Sequence, residues 1–340
     1  MDIASGTIGE ALLETRLGNK TANLLAMIDL DGPLAEGAPG GGVSQACFAA
    51  AVNAVLFHDL LPRVPTGAAF VAEQGARGER IAFDHGAIRT IRFPDGNTGG
   101  LRPGQETFTR ILSPLGYEVT GTYPLPHLRM TGRAWTHRER PEELPQFFVS
   151  ELHVDRFDPE FALAARRVFG SSVDPLTTED IAWLNVLARD GELPLATARL
   201  LLPAVVSAFD RQHAYPDIAD YELLLAGSAE AAWIATEGNA FNHATSRVAD
   251  VEAEAEHQRA AGRPIKDRVE ISASGRVRQT AFQADSVVRR FRDGRERIER
   301  TVPGSFYEII TRDIDPETGK MDLRFDSSNA TGIFAMTRAA

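Results

Sequence analysis

The chain has 340 residues, 43% of them hydrophobic, and a formal net charge of −11. That length supplies core for one large unit or two ordinary ones. The acidic balance argues against a nucleic-acid or anionic-membrane surface as the main partner, while leaving room for a locally basic pocket.

The first residues, "MDIASGTIGEALLETRLG", lack a basic stretch followed by an apolar one, so no secretory leader is expected. With no run of about 18 apolar residues, no membrane span is expected either. A single cysteine, Cys47, suits a reducing compartment and a cytoplasmic protein. Its setting, "SQACFAAAV", reads as a buried small side chain and not a catalytic thiol.

Residues 8–62 show apolar residues at three-to-four spacing and read as helices. They are split by "DGPLAEGAPGGG", a loop or lid by composition that lacks the Gly-Lys-Ser/Thr of a P-loop. The pattern then changes period. "ERIAFDHGAIRTIRF" alternates as a strand, "GQETFTRILSPLGY" reads as a short helix, and "YEVTGTYPL", "LRMTGRAWTHR" and "PQFFVSELHV" read as three strands. Helices return over 155–236, with N-terminal signals at Asp158-Pro159 and Thr178-Glu179.

From residue 240 the order strand, helix, three strands recurs: "AFNHATSRV", "DVEAEAEHQRAAG", "DRVEISAS", "VRQTAFQADSVVRRF" and "GSFYEIITRD". "DHGAIR" and "NHATSR" share the form [Asp/Asn]-His-x-x-x-Arg, and Glu151 and Glu308 each follow the histidine by nearly the same spacing. An internal repeat decides the fold class. The expectation is α+β: two βαβββ modules forming a curved mixed sheet around a metal site, with flanking and inserted helices. The divisions are a helical segment over 1–75, a first module over 76–154, a helical insertion over 155–238 and a second module with a C-terminal extension over 239–340, together one compact catalytic unit. The charge run "RRFRDGRERIER" reads as a solvated hairpin.

Side by side, the modules can bring His85 and His243 together with Glu308. Two imidazoles and one carboxylate on one face of a divalent ion leave sites for a chelating substrate and O₂, as in non-haem Fe(II) oxygenases, although Mn, Co or Zn also suit such ligands. Glu308 lies among apolar residues in "FYEII" and calls for a partner. Glu151 is the rival ligand and is placed in a supporting or structural role. Arg89, four residues after His85, can reach a carboxylate at the far end of a metal-bound acid if a bulge at Gly86 shortens the strand. Arg247 holds the equivalent place with less reason. His58, His127, His137, His153, His213 and His257 lack comparable partners.

"FDHGAIRTI", "FNHATSRV", "FYEIITR" and "FDSSNATGIFAMT" resemble the family long called DUF1338, the 2-oxoadipate dioxygenase/decarboxylase family, from about residue 45 onward. That family is similar to the vicinal-oxygen-chelate superfamily, and its chemistry resembles that of hydroxymandelate synthase. The resemblance implies that 2-oxoadipate and O₂ become 2-hydroxyglutarate and CO₂ at Fe(II), late in lysine breakdown. It matches His85, His243 and Glu308 to the metal ligands and Arg89 to the substrate-carboxylate residue. The implied partners are a small 2-oxo diacid and O₂, with no nucleic acid and no membrane. This chain is compact for the family, and the inserted helices and the loop at 31–42 are expected to cover the pocket. The alternatives are a vicinal-oxygen-chelate metalloenzyme acting on another 2-oxo acid and a non-catalytic small-acid binding protein.

Overall fold

The computed structural model describes residues 6–38 and 41–326. The motif "SNATGIF" and part of the loop at 31–42 lie outside them. Helix α1 (Ile8–Leu17) and helix α2 (Gln45–Leu60) open the chain. The Ser44 side chain caps α2 by accepting from the Cys47 N–H. Nearly every residue of α2 is buried, small Ala side chains letting it pack on all sides. Together with its last turn it is apolar and long enough to cross a membrane by composition, but here it is the core helix. Asp31–Ala35 is a short helix, and Leu34 packs against Gly9 of α1 in the helical layer.

Helix α3 (Pro65–Ala76) leads into strand β1 (Ala82–Arg92), followed by helix α4 (Glu106–Leu112), β2 (Tyr117–Leu125), β3 (Met130–His137) and β4 (Gln146–His153). The insertion holds α5 (Pro159–Phe169), α6 (Thr178–Asp190), α7 (Leu195–Ser207), α8 (Ile218–Gly227) and α9 (Ala229–Glu237). Asp158 caps α5, and Thr177 with Asp180 forms a capping box on α6.

The second half runs β5 (His243–Arg247), α10 (Val251–Ala260), β6 (Glu270–Ile271), β7 (Val277–Ala281), β8 (Ser286–Asp293), β9 (Glu296–Pro303) and β10 (Phe306–Arg312). The segment 277–291 is therefore not one strand. Phe282 N–H still donates to Tyr307, but Asp285 is held by Thr66, and the chain leaves the sheet. β8 and β9 then form a separate, largely exposed hairpin that carries the charge run.

Eight strands form one sheet in the order β2-β3-β4-β1-β5-β10-β7-β6. Outward from the centre each half repeats the same pattern: the first strand lies parallel to the last (β1 with β4, β5 with β10), then two antiparallel neighbours follow. The halves join where β1 and β5 pair antiparallel. One face of this seam packs on α2 and α3 through Phe57, Phe70, Phe83 and Tyr307. The other face carries the site.

Candidate metal centre

A β-bulge at Asp84 aims the first histidine. Phe83 pairs with Ser246 and His85 with Thr245, leaving Asp84 as the extra residue. Phe83 thus enters the helical core while His85 turns to the opposite face. The bulge is one turn of the pleat before Gly86, where it was expected. Gly86 has a different cause: a Cβ there would meet the Phe241 ring at 2.3 Å.

The register then sets the site. His85, Thr245 and Glu308 form one cross-strand row, and Ala87, His243 and Phe306 form the next. The Nε2 of His243 lies 3.5 Å from Glu308 Oε2, and the Nε2 of His85 lies 3.9 Å from it. The three residues are buried, and their donor atoms all lie within 4.8 Å of one another. Among the described residues no other group of His, Cys, Asp or Glu makes such a cluster.

Each imidazole is oriented by the residue before it. His85 Nδ1–H donates to Asp84 Oδ1 at 2.7 Å, and His243 Nδ1–H donates to Asn242 Oδ1 at 3.2 Å. Both Nε2 lone pairs therefore face the cluster, the arrangement that metal-bound histidines use. Thr245 has one hydroxyl proton and donates it to Glu308 Oε2 at 3.0 Å. Its 3.1 Å approach to His85 Nε2 leaves that lone pair available.

The electrostatics fit a divalent cation. Burial pushes the Glu308 carboxyl up to about 8, and its Oε1 has no hydrogen-bond partner among the described residues. Burial also pushes both imidazoles down, His243 further through the proximity of His85 and Arg89. Burial alone would raise Asp84, but Arg312 and His85 hold its carboxyl far below the usual carboxylate range. Two neutral imidazoles and a buried carboxylate short of a partner are donors that a cation would satisfy. The positive charge of Lys266 opposes that rise at Glu308, but Lys266 is itself paired with Glu270 at 2.9 Å.

Glu151 is not brought to the site. Glu308 pairs with the second residue after His243's position, Thr245, and the equivalent pairing in the first half is Ala87 with Phe148. Phe148 is therefore the structural mate of Glu308. Glu151, three residues on, faces the opposite side, where it accepts from Gln105 N–H at the start of α4 and pairs with Arg92 and Arg133.

Arg89 is on the site face, in the row beyond His243, and fully buried. Its guanidinium pairs with Glu230 of α9 at 2.7 Å and lies 5.1 Å from the centre of the Trp233 ring. Arg247 turns away and donates to the Glu142 carbonyl. The other histidines serve locally: His213, for example, is buried and bonds the Ala235 carbonyl.

Asp84 and Asn242 stood in the shared [Asp/Asn]-His motif without an assigned role, whereas Thr245, Glu230 and Phe325 were given no place in the site by the sequence reading. Phe325 closes one side, its ring 4.9 Å from both His85 and Phe148.

Two βαβββ modules joined along one sheet, with two imidazoles and a carboxylate at the seam, define a protein of the vicinal-oxygen-chelate type whose site could hold a metal ion. Residues 51–323 match the 2-oxoadipate dioxygenase/decarboxylase family, and the chain belongs to that family. It is similar to a glyoxalase superfamily protein from Ralstonia eutropha JMP134, with 49% identity over 94% of this chain and 98% of that one and a TM-score of 0.89. The hydroxyglutarate synthase of Oryza sativa, solved in complex with 2-oxoadipate, shares 21% identity over 89% of this chain and 95% of its own, with a TM-score of 0.69. The Pseudomonas putida hydroxyglutarate synthase, also solved with 2-oxoadipate, shares 21% over 96% of this chain and 73% of its own, with a TM-score of 0.56. At those two identities the likeness is one of fold. No curated protein matches the chain.

Proposed function

We propose that the chain is an Fe(II)-dependent dioxygenase that decarboxylates a 2-oxo acid, converting 2-oxoadipate and O₂ to 2-hydroxyglutarate and CO₂. His85, His243 and Glu308 are the metal ligands in this reading, and Arg89 meets the distal carboxylate of the substrate. The observation that supports it is the asymmetry of the seam. Three donors converge on one point, and Phe148 stands where a fourth would be. His85, His243 and Glu308 would hold a divalent ion from one side, which would leave room for a 2-oxo acid and O₂ on the other.

Bound iron supplies Lewis acidity and electron transfer to O₂. The residues of this chain do the rest. Asp84 and Asn242 fix the imidazoles, and Thr245 orients Glu308. Phe148, Phe306 and Phe325 surround the cluster with apolar rings, which excludes bulk water from the reacting carbon. Arg89 offers a planar fork suited to a carboxylate, and a distal carboxylate arriving there shares or takes over the place of Glu230. The bond from C1 to the keto carbon breaks to release CO₂. One oxygen atom enters the new carboxylate and the other the hydroxyl group, so no external reductant is needed.

The test is a screen of 2-oxo acids against oxygen consumption by protein loaded with Fe(II) under anaerobic conditions. The expected outcome is O₂ uptake matched mole for mole by CO₂ and 2-hydroxyglutarate when 2-oxoadipate is supplied. Iron-loaded protein that consumes no O₂ with any 2-oxo acid would overturn the reading.

A further inference from the structure

Arg312 ends β10 on the same face as Glu308, two pleats further on, and its side chain is wholly inaccessible to solvent. A guanidinium so deeply buried is costly unless its donors are satisfied. Here they are, in two directions. Toward the site, Nε and Nη2 donate to the two carboxylate oxygens of Asp84 at 2.8 and 2.9 Å. Toward the C-terminal side, Nη1 donates to the carbonyls of Asp322 at 2.8 Å and Arg324 at 3.0 Å.

Both directions end on His85. Asp84 receives the His85 Nδ1–H and thereby sets which nitrogen faces the cluster. The carbonyls of Asp322 and Arg324 belong to the segment leading directly into Phe325, whose ring stands edge-on to His85 at 4.9 Å and whose N–H donates to the Tyr123 hydroxyl at 3.2 Å. The Arg312 guanidinium lies 5.3 Å from the centre of that same ring. One cation thus holds the orienting carboxylate of a ligand and the backbone that seats an aromatic wall against the same ligand.

We propose that Arg312 is a positioning residue that couples metal loading to the seating of Asp322–Phe325 over the site. Fixing His85 by a bound ion fixes Asp84 and Arg312, and the two carbonyls are then held more firmly. By reciprocity, a firmly seated segment favours the ion by the same factor. The Asp84–Arg312 pair transmits the constraint because it is bidentate and fixes the orientation of both groups. The inference rests on the reading of His85, His243 and Glu308 as metal ligands.

The test uses the whole chain and two readouts that do not depend on turnover: calorimetric affinity for Co²⁺ or anaerobic Fe²⁺, and amide hydrogen exchange over 322–326 with and without the ion. In the wild type, metal is expected to slow exchange in this segment. Arg312→Gln should bind metal roughly ten- to a hundredfold more weakly, the usual loss when a ligand's supporting partner is removed, and exchange at 322–326 should be fast and indifferent to metal. Asp84→Asn guards against a merely unfolded Arg312 variant. It keeps the size of the side chain and leaves Arg312 its two carbonyls, so 322–326 should stay protected while metal affinity falls and the response to metal disappears. Arg312→Lys should recover little of either property, since an ammonium cannot serve the carboxylate and both carbonyls at once.

Wild-type metal affinity in the Arg312→Gln variant would overturn the proposal. So would an undiminished metal response of the segment in either the Arg312→Gln or the Asp84→Asn variant, which would mean that the Phe325–His85 contact alone carries the coupling. A wild-type protein that binds no divalent metal would instead overturn the ligand assignment itself, and the two failures are told apart by the first calorimetric titration.

Discussion

His85 Nε2 lies 3.9 Å from Glu308 Oε2 although their strands are not neighbours, because Thr245 of the intervening strand keeps both in one row. The same row gives Glu308 a side-chain hydrogen bond, donated by the Thr245 hydroxyl. A cation at this point would satisfy the carboxylate and both imidazoles together.

His243→Ala is expected to remove metal binding and turnover while the fold persists. The imidazole is buried beside Phe306 and Ala87, so its loss leaves a small cavity and no unpaired charge. Thermal unfolding with and without Co²⁺ checks this. Ion at a hundredfold excess over its Kd stabilises a binding protein by about 2.7 kcal/mol, and that increment should vanish in the variant. A variant that keeps near-full activity would remove His243 from the site.

Arg89 and Glu230 should separate in kinetics. Arg89→Lys is expected to keep iron but raise KM for 2-oxoadipate, because a point charge replaces a planar fork. Glu230→Gln removes a carboxylate that competes for the guanidinium, so KM for the diacid should fall, at some loss of stability in the substrate-free protein from a less compensated Arg89. The comparison substrate is a 2-oxo acid of equal length with a methyl end. If both variants change its KM as much as that of the diacid, Arg89 does not read the distal carboxylate.

Glu151→Ala should cost stability and leave metal affinity alone. The side chain ties the start of α4 to the sheet and meets Arg92 and Arg133. Losing these buried contacts should cost on the order of 1–3 kcal/mol, visible as a lower urea midpoint. A lower affinity for Co²⁺ at unchanged stability would return Glu151 to the list of ligands.

Acid should weaken the fold through two histidines remote from the seam. Burial holds His137 and His213 neutral down to about 4. Their unfolded values are near 6.5, so between pH 6.5 and 4 the unfolded chain binds more protons than the native one. Stability is then complete above that window and falls as pH drops through it, by up to roughly 3 kcal/mol for each group. Urea unfolding at pH 7 and at pH 4.5 measures the loss, and His213→Gln should reduce it. An unchanged pH slope in that variant would mean that His213 titrates normally.

Much of this was legible in the sequence because the signals were local. Alternation marked the strands, and [Asp/Asn]-His marked both first strands with its orienting residue included. The errors came from relations that chain position does not encode. Counting from histidine to glutamate paired Glu151 with Glu308, but strand side chains have a period of two, so one position changes the face. Register shows Phe148 as the mate. The turn at Phe282–Asp285 was hidden because its cause, Asp285 bonded to Thr66, lies far away in the chain. The Arg89–Glu230 pair joins a strand to the inserted helices, and no spacing announces it.

The pairing of His85 with Thr245 and of Ala87 with His243 is self-complementary about Gly86 and Ala244. It is the kind of contact that two identical subunits would make in an isologous homodimer. Such a dimer would be obliged to offer the same side chain from each copy at the places of Phe148 and Glu308: two acids enclosing an ion, or none to balance it. Tethering both copies in one polypeptide lifts that obligation. Each position can then be set alone, one as an anionic group and the other as an aromatic wall, so that an ion bound there would meet a carboxylate on one side only.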